Sequence, residues 1–166
     1  MVPIINQGDL DIFFFEVFYC KADAKGRVLL PVALRDQMDP ILKNGFYIKK
    51  SYYEDCLELY PAHEWERVMR ELNQKSRFDE KNLNFIRMYT SGLRRVEVDG
   101  SGRLLIPKDL VSMAGISKEV TIAPLGKSLE IWDREKYTEK VSASKKEKRK
   151  LAKRVMNLDN GKGSVS

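Results

Sequence analysis

Asp23-Ala24-Lys25-Gly26-Arg27-Val28-Leu29-Leu30-Pro31 returns 76 residues later as Asp99-Gly100-Ser101-Gly102-Arg103-Leu104-Leu105-Ile106-Pro107. Both copies read D-x-x-G-R, three apolar residues, then proline. A second echo follows each: Leu57-Glu58-Leu59-Tyr60 returns as Leu129-Glu130-Ile131-Trp132, now at an offset of 72. Two matches in the same order, separated by a small length change, point to a tandem duplication with one loop trimmed by four residues. A duplicated unit carries two equivalent sites, which suits a repeating or two-fold target better than one catalytic pocket.

The local chemistry builds each unit as β-β-α-β-β. Phe13–Ala22 is rich in Phe, Val and Tyr and predicts a strand. The four residues Asp23–Gly26 predict a turn, with Asp bonding its own backbone and Gly supplying a positive φ. Arg27–Leu30 returns as a strand, and Pro31 opens a helix to about Met38. Phe46–Lys50 and Leu57–Tyr60 are two more strands. The second copy repeats the order over Leu93–Val98, Arg103–Ile106, a helix from Pro107 to Met113 stopped by Gly115, Glu119–Pro124 and Ser128–Trp132.

Two helices are expected between the units. His63–Gln74 places Trp65, Val68, Met69 and Leu72 on one stripe, and Asp79–Tyr89 begins at an N-cap residue and aligns Leu83, Ile86 and Tyr89. These stripes read as core or subunit contact. Asp133–Val141 predicts a further helix, and Asn157–Ser166 a disordered end. The boundaries are then a first unit over 12–62, connecting helices over 63–92, a second unit over 93–134, and a C-terminal helix with a basic, partly disordered tail over 135–166. At about 70 residues a lone unit has a marginal core, so the halves are expected to share one.

Charge is concentrated. The chain carries +6, and Lys145–Arg154 holds seven basic residues against Glu147, so the rest of the sequence sums to zero. Basicity marks a tail, not the folded body. No run of about 18 apolar residues predicts a membrane span. The apolar stretch Leu10–Tyr19 lacks a preceding positive region and a small-residue cleavage site, so it reads as a buried strand instead of a signal peptide.

Catalytic and metal chemistry find no support. Cys20 and Cys56 lack ligand spacing and read as buried thiols in a reducing cytoplasm. His63 is the one histidine and has no neighbouring partner to make it a base; a surface or first-turn helix position fits it. Gly100-Ser101-Gly102 does not complete a phosphate-binding loop, because Leu105 stands at its last glycine position. Glu58 and Glu130 read as a polar strand face. No catalytic residue, metal or cofactor is expected. The hairpin itself has two readings. A two-stranded ribbon fits a DNA major groove, where arginine donates twice to guanine. Alternatively Asp23 with Arg27, and Asp99 with Arg103, are salt bridges across a turn, and the two readings are compatible.

The doubled motif, Leu57–Pro61 followed by Trp65, and the Leu129–Asp133 ending together resemble the MraZ family, over roughly residues 13–140. These are bacterial transcriptional regulators with two AbrB-type (SpoVT-AbrB) units in one chain. The resemblance implies an α+β, mainly β fold in which two AbrB-like units form a pseudo-two-fold swapped-hairpin barrel with flanking helices. It implies a cytoplasmic, nucleoid-associated homo-oligomer, a ring that presents many hairpins to direct repeats of promoter DNA. The usual target is the promoter of the division and cell-wall gene cluster, usually repressed. By the same resemblance Lys25, Arg27 and Arg103 contact DNA, while Asp23, Gly26, Asp99 and Gly102 shape and orient the hairpins. Departures are Val17 where the family often has glycine, the small Ala22 before the first motif, and Ser101 where the first copy has Lys25. Two rivals remain: an AbrB-like antitoxin that regulates its own promoter, and a non-specific RNA- or nucleoid-binding protein acting through the basic tail.

Overall fold

The computed structural model describes residues 11–164, with side chains described as far as Asn157. The chain divides into two compact units, one through Arg134 and one from Glu135 to Ser166. The first unit holds eight strands: β1 (Phe18–Lys21), β2 (Arg27–Leu29), β3 (Phe46–Lys50), β4 (Leu57–Pro61), β5 (Arg94–Val96), β6 (Arg103–Leu105), β7 (Glu119–Leu125) and β8 (Ser128–Asp133). Its helices are α1 (Val32–Met38), a 3-10 segment Asp39–Asn44, α2 (Ala62–Asn73), α3 (Glu80–Tyr89) and α4 (Lys108–Met113). Asp79 caps α3 by accepting from the Lys81 N–H at 2.8 Å.

Six strands form one open antiparallel sheet in the order β1-β7-β8-β4-β3-β5, and β2 pairs β6 in a separate ribbon. If the repeats are exchanged, that order reads the same from the other end. The first strand of each repeat is therefore paired with the third strand of the other, β1 on β7 and β5 on β3. The centre of symmetry falls between β4 and β8, where Glu58 stands opposite Glu130. The core is correspondingly joint. Val28, Leu30, Leu34 and Met38 from one repeat pack in one cluster with Leu104, Ile106, Leu110 and Ala114 from the other, over Ile48, Leu59, Ile122 and Leu129. Each fully buried aliphatic side chain contributes about 1.5–3 kcal/mol, which neither repeat collects alone.

The pairing refines the duplication. Cys20 and Val96 are equivalent at an offset of 76; they pair with Val120 and Phe46, which makes β3 and β7 equivalent at an offset of 74. The length change is thus two losses of two residues each, not one loop shortened by four. The first replaces the 3-10 segment Asp39–Asn44 by a turn at Gly115, whose φ is +62°. The second shortens the β3–β4 turn to the Gly126-Lys127 turn between β7 and β8.

Two expectations are corrected. Regular pairing of the first strand covers only Phe18–Lys21, and among residues 11–17 Phe14 alone is buried. Phe14 donates its N–H to the Gly126 carbonyl, while Phe13, Phe15, Val17 and Tyr19 stay exposed. The β1–β7 ladder ends before Pro124, which has no N–H to offer. Leu10 lies outside the described residues. The helix stripes are half-buried: Trp65 is enclosed, but no residue of α3 is. From the unit boundary onward, α5 (Arg134–Val141) is followed by α6 (Lys145–Ser164), so residues 157–164 are helical where composition predicts disorder. Lys145–Met156 is built almost wholly from strong helix formers. Among the described residues, no helix is long and apolar enough to cross a membrane.

Candidate nucleic-acid interface

Each D-x-x-G-R stretch closes a four-residue turn by the same bonds. The Asp23 carbonyl accepts from Gly26 N–H at 3.0 Å, and its Oδ1 accepts from the N–H groups of Lys25 and Arg27, both at 2.9 Å. Asp99 repeats this, accepting from Gly102 at 3.0 Å and from Ser101 and Arg103 at 2.9 Å. These bonds favour the ionised carboxylate. The Arg27 N–H, followed by the Arg27 side chain and the Lys25 N–H, holds Asp23 below its ordinary value; the Arg103 and Ser101 N–H groups do the same for Asp99. Gly26 and Gly102 sit at φ +83° and +79°. They also meet the other repeat closely: Gly26 accepts from Ile106 N–H at 2.9 Å and Gly102 from Leu30 N–H at 3.0 Å. Behind Gly102 the Arg35 side chain occupies the place a Cβ would take, and behind Gly26 the repeat-equivalent residue is Val111.

The salt-bridge reading holds for one hairpin only. Arg27 Nε donates to Asp23 Oδ2 at 2.7 Å. Asp99 bonds the backbone of Arg103, but among the described residues no hydrogen bond or ion pair holds the Arg103 guanidinium.

The antiparallel ribbon sets the two turns at its opposite ends and the two motif arginines diagonally across it. Arg27 pairs Leu105, Val28 pairs Leu104, and Leu29 pairs Arg103. Val28 and Leu104 are buried against the core; Arg27, Leu29, Arg103 and Leu105 alternate with them and face outward. Lys25 is exposed at the first turn. Bridges from Ala22 to Val28 and from Val98 to Leu104 join the ribbon to the two edge strands. A cleft of about 740 Å³ beside it is lined by Arg27, Arg95, Arg103 and Leu105, with Glu97 and Asp99 at its wall. Arg95 is a residue the sequence reading missed. Its Nη2 donates to the Asn44 carbonyl at 3.0 Å and its guanidinium lies on Gly45. No repeat signal marks it, because its counterpart is Tyr19.

The other singled-out residues are packed away from this surface. Cys20 and Cys56 are buried free thiols, and burial pushes Cys20 up to about 11. Glu58 is not on a solvent-facing strand surface. It is 9% exposed, bonded to the fully buried Lys49 at 2.8 Å and to the Tyr60 hydroxyl at 3.0 Å. Glu130 accepts instead from Trp132 Nε1 at 3.2 Å, because Ala123 stands where the first repeat has Lys49. His63 lies in the first turn of α2, 3.9 Å from Asp11. Among the described residues no group of His, Cys, Asp and Glu is arranged to hold a metal ion.

Comparison with known proteins covers nearly the whole described chain. Residues 13–87 and 90–158 each match the family described as "MraZ protein, putative antitoxin-like". The chain is 46% identical over 146 residues to the transcriptional regulator MraZ of Christiangramia forsetii, covering 88% of this chain and 94% of that one. It is 41% identical over 139 residues to the protein of the same name from Flavobacterium psychrophilum, covering 84% and 88%. The like-named protein of Finegoldia magna is 36% identical over 124 residues, covering 75% and 83%.

Proposed function

Because the chain belongs to the MraZ family of transcriptional regulators and is not an enzyme, we propose that it binds promoter DNA sequence-specifically through the β2–β6 ribbon. The observation that carries this is the ribbon's outward face, where both motif arginines project from two adjacent paired strands. A two-stranded ribbon is narrow enough for the major groove, and an arginine there donates twice to guanine. Arg27 and Arg103 take base edges, and Lys25 takes a phosphate or base edge. Asp23 and Gly26, with Asp99 and Gly102, hold the turns. Arg27 is presented by Asp23 in a fixed direction, whereas Arg103 orders only on binding.

The exchanged strands and the Ala22–Val28 and Val98–Leu104 bridges support an AbrB-type swapped-hairpin arrangement. On this reading the protein works in the cytoplasm on the nucleoid as a homo-oligomeric ring. Its targets are direct repeats in the promoter of the division and cell-wall gene cluster, which it represses. Several weakly held repeats bound at once raise avidity by about 10²–10⁴ without new contacts. The test is a footprint on DNA upstream of the chain's own gene, with light scattering of the free protein. Protected direct repeats, a mass several times 19.2 kDa, and far weaker binding to one repeat than to several are expected. A monomer with equal affinity for one repeat and for several removes the ring and the multivalent mechanism.

The exposed basic helix α6 favours a subsidiary reading. Its lysines and arginines add sequence-independent attraction to phosphates.

A further inference from the structure

The outward face of the ribbon is half apolar. Leu29 and Leu105 keep 54% and 53% of their surface exposed, while the inward Val28 and Leu104 keep 1% and 0%. Scattered exposed leucines need no explanation. These two are not scattered. They occupy equivalent positions in the two repeats, and each stands directly opposite a motif arginine: Leu105 beside Arg27, Leu29 beside Arg103. Leu105 also lines the arginine cleft. The register fixes them there, since a slip by one residue would expose Val28 and Leu104 instead. Four outward side chains thus form a diagonal pattern of two cations and two aliphatic tips.

Resting on the DNA-binding reading above, we infer that Leu29 and Leu105 are themselves base-reading residues, each taking the C5 methyl of a thymine next to a base read by an arginine. Thymine is the base that presents an apolar group in the major groove. The positive charge of the flanking arginines draws an aliphatic tip into such a groove, and it matches a nucleic acid, not an apolar partner. Spacing sets where the thymines lie. Cross-strand neighbours on a ribbon are about 5 Å apart. Residues two apart on one strand are about 6.8 Å apart. With base pairs rising about 3.4 Å, each thymine falls within about two steps of an arginine-read base.

Replacing thymine by deoxyuridine tests this, because it removes the methyl and keeps the pairing. The probe is the fragment that the full-length protein protects upstream of its own gene, made with thymine or with deoxyuridine. The parent protein should lose about fourfold in affinity for each contacted methyl, the worth of one buried methyl group. The variant Leu29→Ser/Leu105→Ser should bind the thymine fragment less well, bind the two fragments equally, and keep the parent's mass in light scattering. Equal binding of both fragments by the parent overturns the inference, as does a thymine preference that survives in the variant. A variant that loses mass assigns the leucines to contact between copies and overturns it as well. A parent that protects no site removes the DNA-binding reading itself, and the inference with it.

Discussion

Gly26→Ala asks whether the hairpin tip is held by geometry that only glycine tolerates. A left-handed backbone costs a residue with a Cβ about 1–2 kcal/mol. Gly126, in the β7–β8 turn, has φ +69° and open space around a built Cβ, so Gly126→Ala measures that cost alone. At Gly26, with φ +83°, a Cβ would lie 2.6 Å from the Ile106 carbonyl oxygen. Backbone must then move, which in packed sites costs about 1–3 kcal/mol. The movement also stretches the bond from Ile106 N–H to the Gly26 carbonyl, worth about 1 kcal/mol net. Gly26→Ala should therefore cost about 3–6 kcal/mol, some 2–4 more than Gly126→Ala by the same reasoning. Urea unfolding of both variants and the parent, at one protein concentration and with unchanged m-value, reads the difference directly. If the two variants lie within about 0.5 kcal/mol of each other, the close approach of the repeats at Gly26 does not constrain the ribbon.

Arg27→Ala and Arg103→Ala should each cost about 1–3 kcal/mol against specific DNA with little change in folding; mobility-shift titrations that match the parent would end their groove-reading role. Truncation after Ser144 should weaken binding to all DNA alike and flatten its salt dependence while leaving sequence preference intact, as fluorescence titration at several salt concentrations would show. Lys49→Met should destabilise by about 3–5 kcal/mol, because Glu58 is left buried without its cation. Lys49→Met/Glu58→Gln should recover part of that loss, and a double variant no more stable than the single one would mean that the ion pair is not the cause.

The hairpins were legible because the chain states them twice and because the Asp and Gly of each turn have few other uses. Other features had no such signal. Val28, Leu29 and Leu30 are apolar in a row, so nothing local says that the middle one faces out; the register with β6 decides it. The run Phe13–Tyr19 reads as a buried strand, yet only Phe18 and Tyr19 of it are paired in the sheet, and before them Phe14 alone is buried. Glu58 resembles any polar residue in an alternating strand until its pairing with Lys49 is known, and Lys49 has no ionic counterpart in the second repeat. Arg95 enters the cleft because β5 lies beside β3, a neighbour from the other half of the sequence.

The exchange of β1 and β5 between the repeats also bears on synthesis. Phe18 pairs with Ile122, so β1 has no sheet partner until about 100 further residues have been made. At roughly 5–20 residues per second that is a wait of about 5–20 s. During it β3 and β4 can form their hairpin, but the edge that β5 will cover is open, and the aromatic run before β1 has nothing to close over Phe14. The high separation of these pairings predicts slow folding for a chain of this length. It also makes the first half, alone on the ribosome, a target for chaperones or for the same half of a neighbouring nascent chain.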